Sequence, residues 1–226
     1  MTRTLVAGGT GEVGTGVVRA LLRAGGDVVV PSRSRERLDA LRGRVADALG
    51  GGATLDTVEG GFGDQAAARA VAEQVGPLDH AVVSIGGWWS GPPARRVEPA
   101  VVDGVLSSGL HPHLHAAQAL LPGLDAAPGA TYLMVNGGGA LEPVAGSSAV
   151  VVSAAAQLML TRVLAAEQPD DGAAVRAVVL MTPIISHERT QGRDTWLTAD
   201  EVGERVAALQ REPGDEVVVR VESPRA

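Results

Sequence analysis

The sequence predicts an α/β protein built on one doubly wound parallel sheet of about seven strands. Three observations lead there. Short β-branched runs alternate with longer helical patterns along the whole chain, mostly with short connections, as parallel neighbours joined by helical crossovers require. A glycine run, Gly8-Gly9-Thr10-Gly11-Glu12-Val13-Gly14-Thr15-Gly16, joins an apolar strand to an Ala/Leu/Val-rich helix. No linker or repeat divides the chain, and the Pro/Gly clusters at 86–93 and 122–129 read as loops.

Taken in order, the first strand is expected near 3–7, where Thr4–Ala7 runs into the glycines, and the first helix near 14–24, carried by Val17–Arg23. Val28-Val29-Val30 marks a second strand at 27–31, followed by a helix at 34–49. A third strand at 54–58 and helix at 64–75 precede Ala81-Val82-Val83, the centre of a fourth strand at 79–84. The next helix, 97–121, is closed by Pro122. Tyr132–Asn136 lies in a fifth strand at 130–136, and an Ala/Val-rich helix follows at 147–167. A sixth strand at 174–181 stops before Pro183, and a helix at 199–210 and a strand at 216–221 complete the alternation.

Composition narrows the function. Nineteen basic residues against 26 acidic ones leave a net charge of −7, which argues against a broad nucleic-acid or anionic-membrane surface. With no cysteine, disulfides and thiolate catalysis are excluded. The beginning of the chain reads as a strand and not as a secretion signal, and the nearly apolar stretch Ala149–Leu160 is too short for a bilayer. A cytoplasmic protein is the expectation.

The glycine run carries the first chemical signal. Between a strand and a helix, glycines permit a tight turn and close backbone approach to a pyrophosphate, while the N–H groups of the helix start face the anion. Gly8, Thr10, Gly11, Glu12, Val13 and Gly14 are therefore expected to bind a dinucleotide, with Ser84, Gly86 and Pro183 at later strand ends completing the site. After the second strand the chain offers Ser32 and Arg33, with Arg35 and Arg37 close behind and no acid before Glu36. An acid there would hold ribose hydroxyls, whereas a base pairs with a 2′-phosphate, so NADP(H) is expected over NAD(H). Arg33, at the strand end, is the better candidate; Arg35 and Arg37 also fit the solvated face of a helix.

These landmarks resemble the short-chain dehydrogenase/reductase family along the whole chain. The resemblance is carried by Gly8/Gly11/Gly14, the turn Val30–Leu38, Gly76-Pro77-Leu78-Asp79 leading into the fourth strand, Ala119-Leu120-Leu121-Pro122, and Val175–Pro183. It implies one Rossmann domain over 1–226 with strand order 3-2-1-4-5-6-7, and a homo-oligomer, dimer or tetramer, paired through the fourth and fifth helices. It also implies an active site of a serine after the fifth strand, a Tyr-x-x-x-Lys on the next helix and an asparagine on the preceding one, with the tyrosine passing a proton to or from the substrate oxygen. This sequence departs from that pattern. Glycines Gly137-Gly138-Gly139 stand where the serine falls, Val150 and Ala154 take the tyrosine and lysine positions if Ser153 keeps its register, and Ser108 or Gly109 takes the asparagine position. The fourth-strand Asn-Asn-Ala-Gly becomes Ser84-Ile85-Gly86-Gly87, and Glu12 replaces the middle glycine of the first loop, which brings that loop closer to extended or atypical branches. The only tyrosine, Tyr132, lies inside a strand, where a core or sheet-face role is expected.

Other groups near the expected cleft are His111, His113 and His115, of which His111 and His115 share a helix face and could exchange protons, pack structurally or, without a local carboxylate, far less readily hold a metal. No metal is expected. His187, after Pro183, is a separate candidate for substrate contact. Trp88, Trp89 and Trp196 follow strand ends and are expected, with Asn136 and Gly138, to line an apolar substrate pocket; lid packing or a subunit interface would serve them equally. Three classes remain open: an NADPH-dependent oxidoreductase with a non-standard proton source, a non-redox isomerase, cyclase or dehydratase on the same scaffold, and a cofactor-binding sensor or partner subunit without catalysis.

Overall fold

The seven main strands all run parallel, and the five inner ones are largely buried, whereas the two edge strands expose Asp56 and Glu59 on one and Arg220 on the other. The computed structural model describes residues 2–225; the first and last residues of the expected domain lie outside it. In chain order the elements are β1 (Arg3–Ala7), α1 (Glu12–Arg23), β2 (Asp27–Ser32), α2 (Arg35–Arg44), β3 (Leu55–Glu59), α3 (Gln65–Val75), β4 (His80–Val83), α4 (Pro99–Leu124), β5 (Thr131–Gly137), α5 (Ser148–Glu167), β6 (Ala174–Leu180), β7 (Ile184–Ile185), β8 (Leu197–Thr198), α6 (Ala199–Arg211) and β9 (Val218–Val221). The sheet order is β3-β2-β1-β4-β5-β6-β9, with β7 and β8 forming a separate two-stranded parallel pair.

The period of two along each strand divides the core. Val6, Val28, Val30, Val82, Leu133 and Val135 face α1, α2 and α6, whereas Leu5, Ala7, Val29, Ala81, Val83, Tyr132 and Met134 face α3, α4 and α5. Tyr132 is fully buried, as a core role requires, and its hydroxyl has no partner. The charged phenolate is excluded from such a place, so burial pushes the Tyr132 pKa up.

On the first face α1 and α6 touch backbone to backbone. A Cβ on Gly16 would lie 2.0 Å from the Ala199 carbonyl oxygen, and one on Gly203 would lie 2.3 Å from the Gly16 carbonyl oxygen. Gly16 and Ala20 on α1, like Ala199 and Gly203 on α6, are four apart and so share one face. The α6 start is held by a capping box: Thr198 Oγ1 accepts the Glu201 N–H, and Glu201 Oε2 accepts the Thr198 N–H at 2.7 Å. Arg225 adds bonds to Glu201 and to the carbonyls of Asp194 and Trp196, which ties the segment before α6 in place.

Several expected boundaries shift. α1 begins at Glu12, because Gly14 is accommodated in its first turn. α2 stops at Arg44, followed by a 3-10 turn over Ala46–Ala48, since Gly43 and the β-branched Val45 weaken further propagation. Pro122 does not close α4; it costs one N–H near the helix end, and the helix runs two residues further to Leu124. β4 and β9 are shorter than expected, at His80–Val83 and Val218–Val221. The apolar stretch at 149–160 is part of a 20-residue helix, Ser148–Glu167, which is long and apolar enough to cross a membrane by length and composition. In this fold one face of that helix, Ser153, Gln157, Leu158 and Thr161, is buried.

Candidate functional site

The site is built where strand order reverses, at the carboxyl ends of β1 and β4. After β1 the chain turns at Gly8, whose φ of +79° suits glycine, and a Cβ there would lie 2.1 Å from the Ser84 carbonyl oxygen at the end of β4. A Cβ on Gly14 would lie 2.1 Å from the Gly8 carbonyl oxygen. Strand end, loop and helix start are thus in backbone contact. Within the loop Gly9 N–H donates to Val6 and Gly11 N–H to Gly8, and the first helical bond runs from Thr15 N–H to the Gly11 carbonyl at 2.9 Å. Gly11, the N-cap, has no side chain to offer, so the N–H groups of Glu12, Val13 and Gly14 keep no acceptor among the described residues. Three free donors at the start of a helix form a cradle that fits a phosphate group.

At the end of β2 the two serines are spent locally. Ser32 Oγ accepts the Ser34 N–H, and Ser34 Oγ caps α2 by accepting the Arg37 N–H. Arg35 faces Glu59 at 3.6 Å. Arg33 is exposed, lies along Gly61 with its Cγ 3.1 Å from where a Cβ would stand, and has no ion pair or hydrogen bond among the described residues. The guanidinium of Arg33 at the strand end is therefore unpaired among the described residues, as is that of Arg37 in the first turn of α2.

On the other side of the switch point, β5 ends at Gly137 and a 3-10 turn covers Gly138–Ala140. No side chain projects from the three glycines. Asn136, expected to line a pocket, is instead buried: its amide donates to the Ala154 carbonyl at 2.8 Å and its Oδ1 accepts the Gly137 N–H at 2.8 Å. This bond fixes α5 against the end of β5 and brings Ala154 beside it. Val150 is half-buried in the same helix. All 19 basic residues are arginines, so no lysine exists anywhere in the chain.

The histidines have separate surroundings. His113 is fully buried and its Nε2–H donates to the Ile85 carbonyl at 2.7 Å, holding the loop after β4. His115 donates through Nδ1 to the Phe62 carbonyl at 3.1 Å, and His111 lies exposed with its ring 6.4 Å from that of His115. No group of three metal-ligating side chains occurs among the described residues. Acid/base work was expected of His111 or His115 beside a structural role for the three histidines, and it is His113 between them that takes the structural one. The signal was available, since Gly109, Pro112, His113, Ala116, Ala117 and Leu120 recur at helical spacing on the buried side of α4.

Burial lowers the His113 pKa to about 4. On acidification the unfolded chain therefore takes up this proton before the folded one does. The stability it contributes is complete above pH 6.5 and falls as pH drops toward 4, by on the order of 3 kcal/mol at one pK unit per 1.4 kcal/mol. Urea titrations across that window should show the loss, and His113→Gln should flatten it.

The tryptophans do not stack on one another; the aromatic ring pair among the described residues is His111 with His115. Trp88 is exposed and its indole N–H donates to Ser90 Oγ at 2.9 Å. Trp89 lies against Gly91, whose N–H donates to the Gly146 carbonyl and so joins the loop after β4 to the one before α5. Trp196 lies against Gly192 and near Ile185, within the excursion between β7 and β8. That excursion places Ser186 on Glu12, with the serine hydroxyl donating to Glu12 Oε2 at 2.5 Å. His187 stands beside it, its pKa lowered by partial burial and by Arg44.

A family model described as short chain dehydrogenase matches residues 2–198. No curated protein matches the chain by sequence. Among solved structures the chain is similar to an NADPH-bound short chain oxidoreductase from Pseudomonas aeruginosa described as containing an atypical catalytic center, with a TM-score of 0.87 and 20% identity over 100% of this chain and 96% of that one. An alcohol dehydrogenase from the archaeon Thermococcus sibiricus, complexed with 5-hydroxy-NADP, gives 0.79 and 19% over 100% and 98%. A short-chain type dehydrogenase/reductase from Mycobacterium ulcerans gives 0.87 and 16% over 98% and 88%.

Proposed function

Because this chain belongs to the short-chain dehydrogenase family, we propose that it binds NADP(H) and serves as an oxidoreductase without the family's usual serine, tyrosine and lysine. The observation that carries the cofactor reading is the unpaired Arg33 at the end of β2, on the same sheet edge as the three free N–H groups of α1. Solved proteins of this fold with NADPH and 5-hydroxy-NADP support it. The N–H groups of Glu12, Val13 and Gly14 would hold the pyrophosphate and Arg33 the 2′-phosphate, with Ser84, Gly86 and Pro183 around the rest of the dinucleotide. Bound there, the cofactor supplies or accepts a hydride.

The chemistry follows from what flanks that place. Gly137–Gly139, Val150 and Ala154 offer no proton, so the substrates this site suits are those that need no tyrosine acid, such as an iminium or an activated alkene of small, apolar character received near Trp89, Gly138 and Trp196. A solved protein of this fold is likewise described as containing an atypical catalytic center. His111 and His115 remain the imidazoles on α4 proposed for proton exchange, although His115 is engaged with Phe62. The same glycines, valine and alanine favour a second reading, a cofactor-binding sensor or partner subunit without turnover. Titration with NADPH combined with a panel of carbonyl, imine and enone substrates separates the two: cofactor oxidation with an imine or enone supports the first, and binding without oxidation on any member supports the second.

This reading includes a cytoplasmic homo-oligomer. Val152, Met159 and Val163 form an exposed apolar stripe on α5, and Leu114 is exposed on α4. Burying that stripe against a second copy removes it from water. Sedimentation should give a dimer or tetramer, and a monomer would contradict this part.

A further inference from the structure

We propose that Glu12 competes with the dinucleotide's pyrophosphate and that its displacement releases the excursion between β7 and β8. The inference rests on the cofactor reading above. Glu12 is the first residue of α1, half-buried, and belongs to the set whose N–H groups have no acceptor. Its carboxylate accepts none of those N–H groups and is held by Ser186, yet its charge lies on the first turn of the helix whose free N–H groups an incoming phosphate would take. Two anions cannot share that place without repulsion.

The carboxylate is tied elsewhere as well. Ser186, 174 residues away in the chain, donates its hydroxyl proton to Glu12 Oε2. The same hydroxyl oxygen accepts the N–H groups of Glu188 at 3.2 Å and Arg189 at 3.1 Å, and the Ser186 N–H donates to the Arg189 carbonyl at 2.8 Å. Residues 186–189 thus form a self-bonded turn whose one outward bond from the serine hydroxyl runs to the phosphate loop. Both ends of the excursion are closed by the β7–β8 pairing, with Ile185 opposite Thr198, and the far end is fixed further by Arg225 on the Asp194 and Trp196 carbonyls. Beyond the paired Ile185, the Ser186 hydroxyl on Glu12 ties the turn at 186–189 to the start of α1. A pyrophosphate seated on Val13 and Gly14 repels Glu12, the bond to Ser186 breaks, and the turn carrying His187 swings free while Arg225 keeps the hinge.

Three consequences distinguish this from a passive contact. Glu12→Gln keeps an oxygen that can accept from Ser186 but loses the charge, so NADPH should bind about tenfold more tightly, as should inorganic pyrophosphate used alone. Ser186→Ala frees the turn without any ligand, so trypsin should cut after Arg189 faster in the unliganded variant than in the unliganded native chain. Arg225→Ala should speed cleavage after Arg193 and leave the NADPH affinity unaltered. Affinities are read by calorimetry and cleavage by mass spectrometry, neither of which depends on turnover. Affinity unchanged or weakened in Glu12→Gln overturns the competition while leaving the cofactor reading standing. Cleavage after Arg189 unchanged in Ser186→Ala overturns the tether. Failure of every variant to bind either dinucleotide overturns the cofactor reading, and the competition with it.

Discussion

Arg33→Ala is expected to weaken NADPH binding by about 10- to 100-fold and to leave NADH binding within about twofold. The size follows from the state of the side chain. An arginine already paired in the free protein would have to exchange one partner for another, and the gain on binding phosphate would be small. Arg33 has no such partner among the described residues, whereas Arg35 faces Glu59 and the serines on either side of Arg33 are engaged with backbone N–H groups. Its aliphatic stem lies along Gly61, where the missing side chain leaves room, and its exposed head can reach outward. A 2′-phosphate would then meet a preformed, planar donor pair, and the rest of the dinucleotide, common to NADPH and NADH, would be held by the α1 cradle. Equal losses for both cofactors, measured by calorimetry, would place Arg33 away from the 2′-phosphate.

Gly16→Ala is expected to lower the stability by about 3 kcal/mol or more. Two effects oppose each other here. Alanine in a helix gains about 1 kcal/mol over glycine from backbone entropy. The added methyl would stand 2.0 Å from the Ala199 carbonyl oxygen and 2.3 Å from its carbon, both backbone atoms that no rotamer change can move. α1 and α6 must separate to admit it, and packing across both helices is lost. Gly43→Ala is the control, since a Cβ on Gly43 in α2 meets nothing within 4 Å, and this variant should gain about 0.5–1 kcal/mol. Urea midpoints for the two variants should therefore move in opposite directions.

How much of this was legible in the sequence depends on how local each cause is. The parallel sheet was, because Val28-Val29-Val30, Ala81-Val82-Val83 and Val175–Leu180 are continuous apolar runs between helical stretches, and each strand is set by its own residues. The resemblance implied the order in which the main strands associate, and β3-β2-β1-β4-β5-β6-β9 agrees with it once the short β7 and β8 are set aside. Ile184–Ile185 and Leu197–Thr198 escaped notice because two residues carry no periodicity. Pro122 was misread because a proline within three residues of a helix end removes a bond that fraying would weaken anyway.

The site divides along the same line. The glycines Gly8 and Gly14 and the arginine after β2 are local signals, readable because a strand precedes and a helix follows each of them. The reading of Gly137–Gly139, Val150 and Ala154 as the serine, tyrosine and lysine positions came from the resemblance, since it needs only an aligned register. Contacts across the molecule were not legible. Glu12 with Ser186, Asn136 with Ala154, and Arg225 with the Trp196 carbonyl join residues 174, 18 and 29 apart, and nothing in the neighbourhood of either partner announces the other. The tryptophans share a position after strand ends, and their contacts include local ones, Trp88 on Ser90, Trp89 beside Gly91 and Trp196 beside Gly192.

Calorimetric titration of the native chain with NADPH and, separately, with NADH tests the central claim most directly. One NADPH should bind per chain, at least about tenfold more tightly than NADH, as an unpaired arginine beside a free helix start requires. Absence of NADPH binding, or tighter binding of NADH, would contradict it.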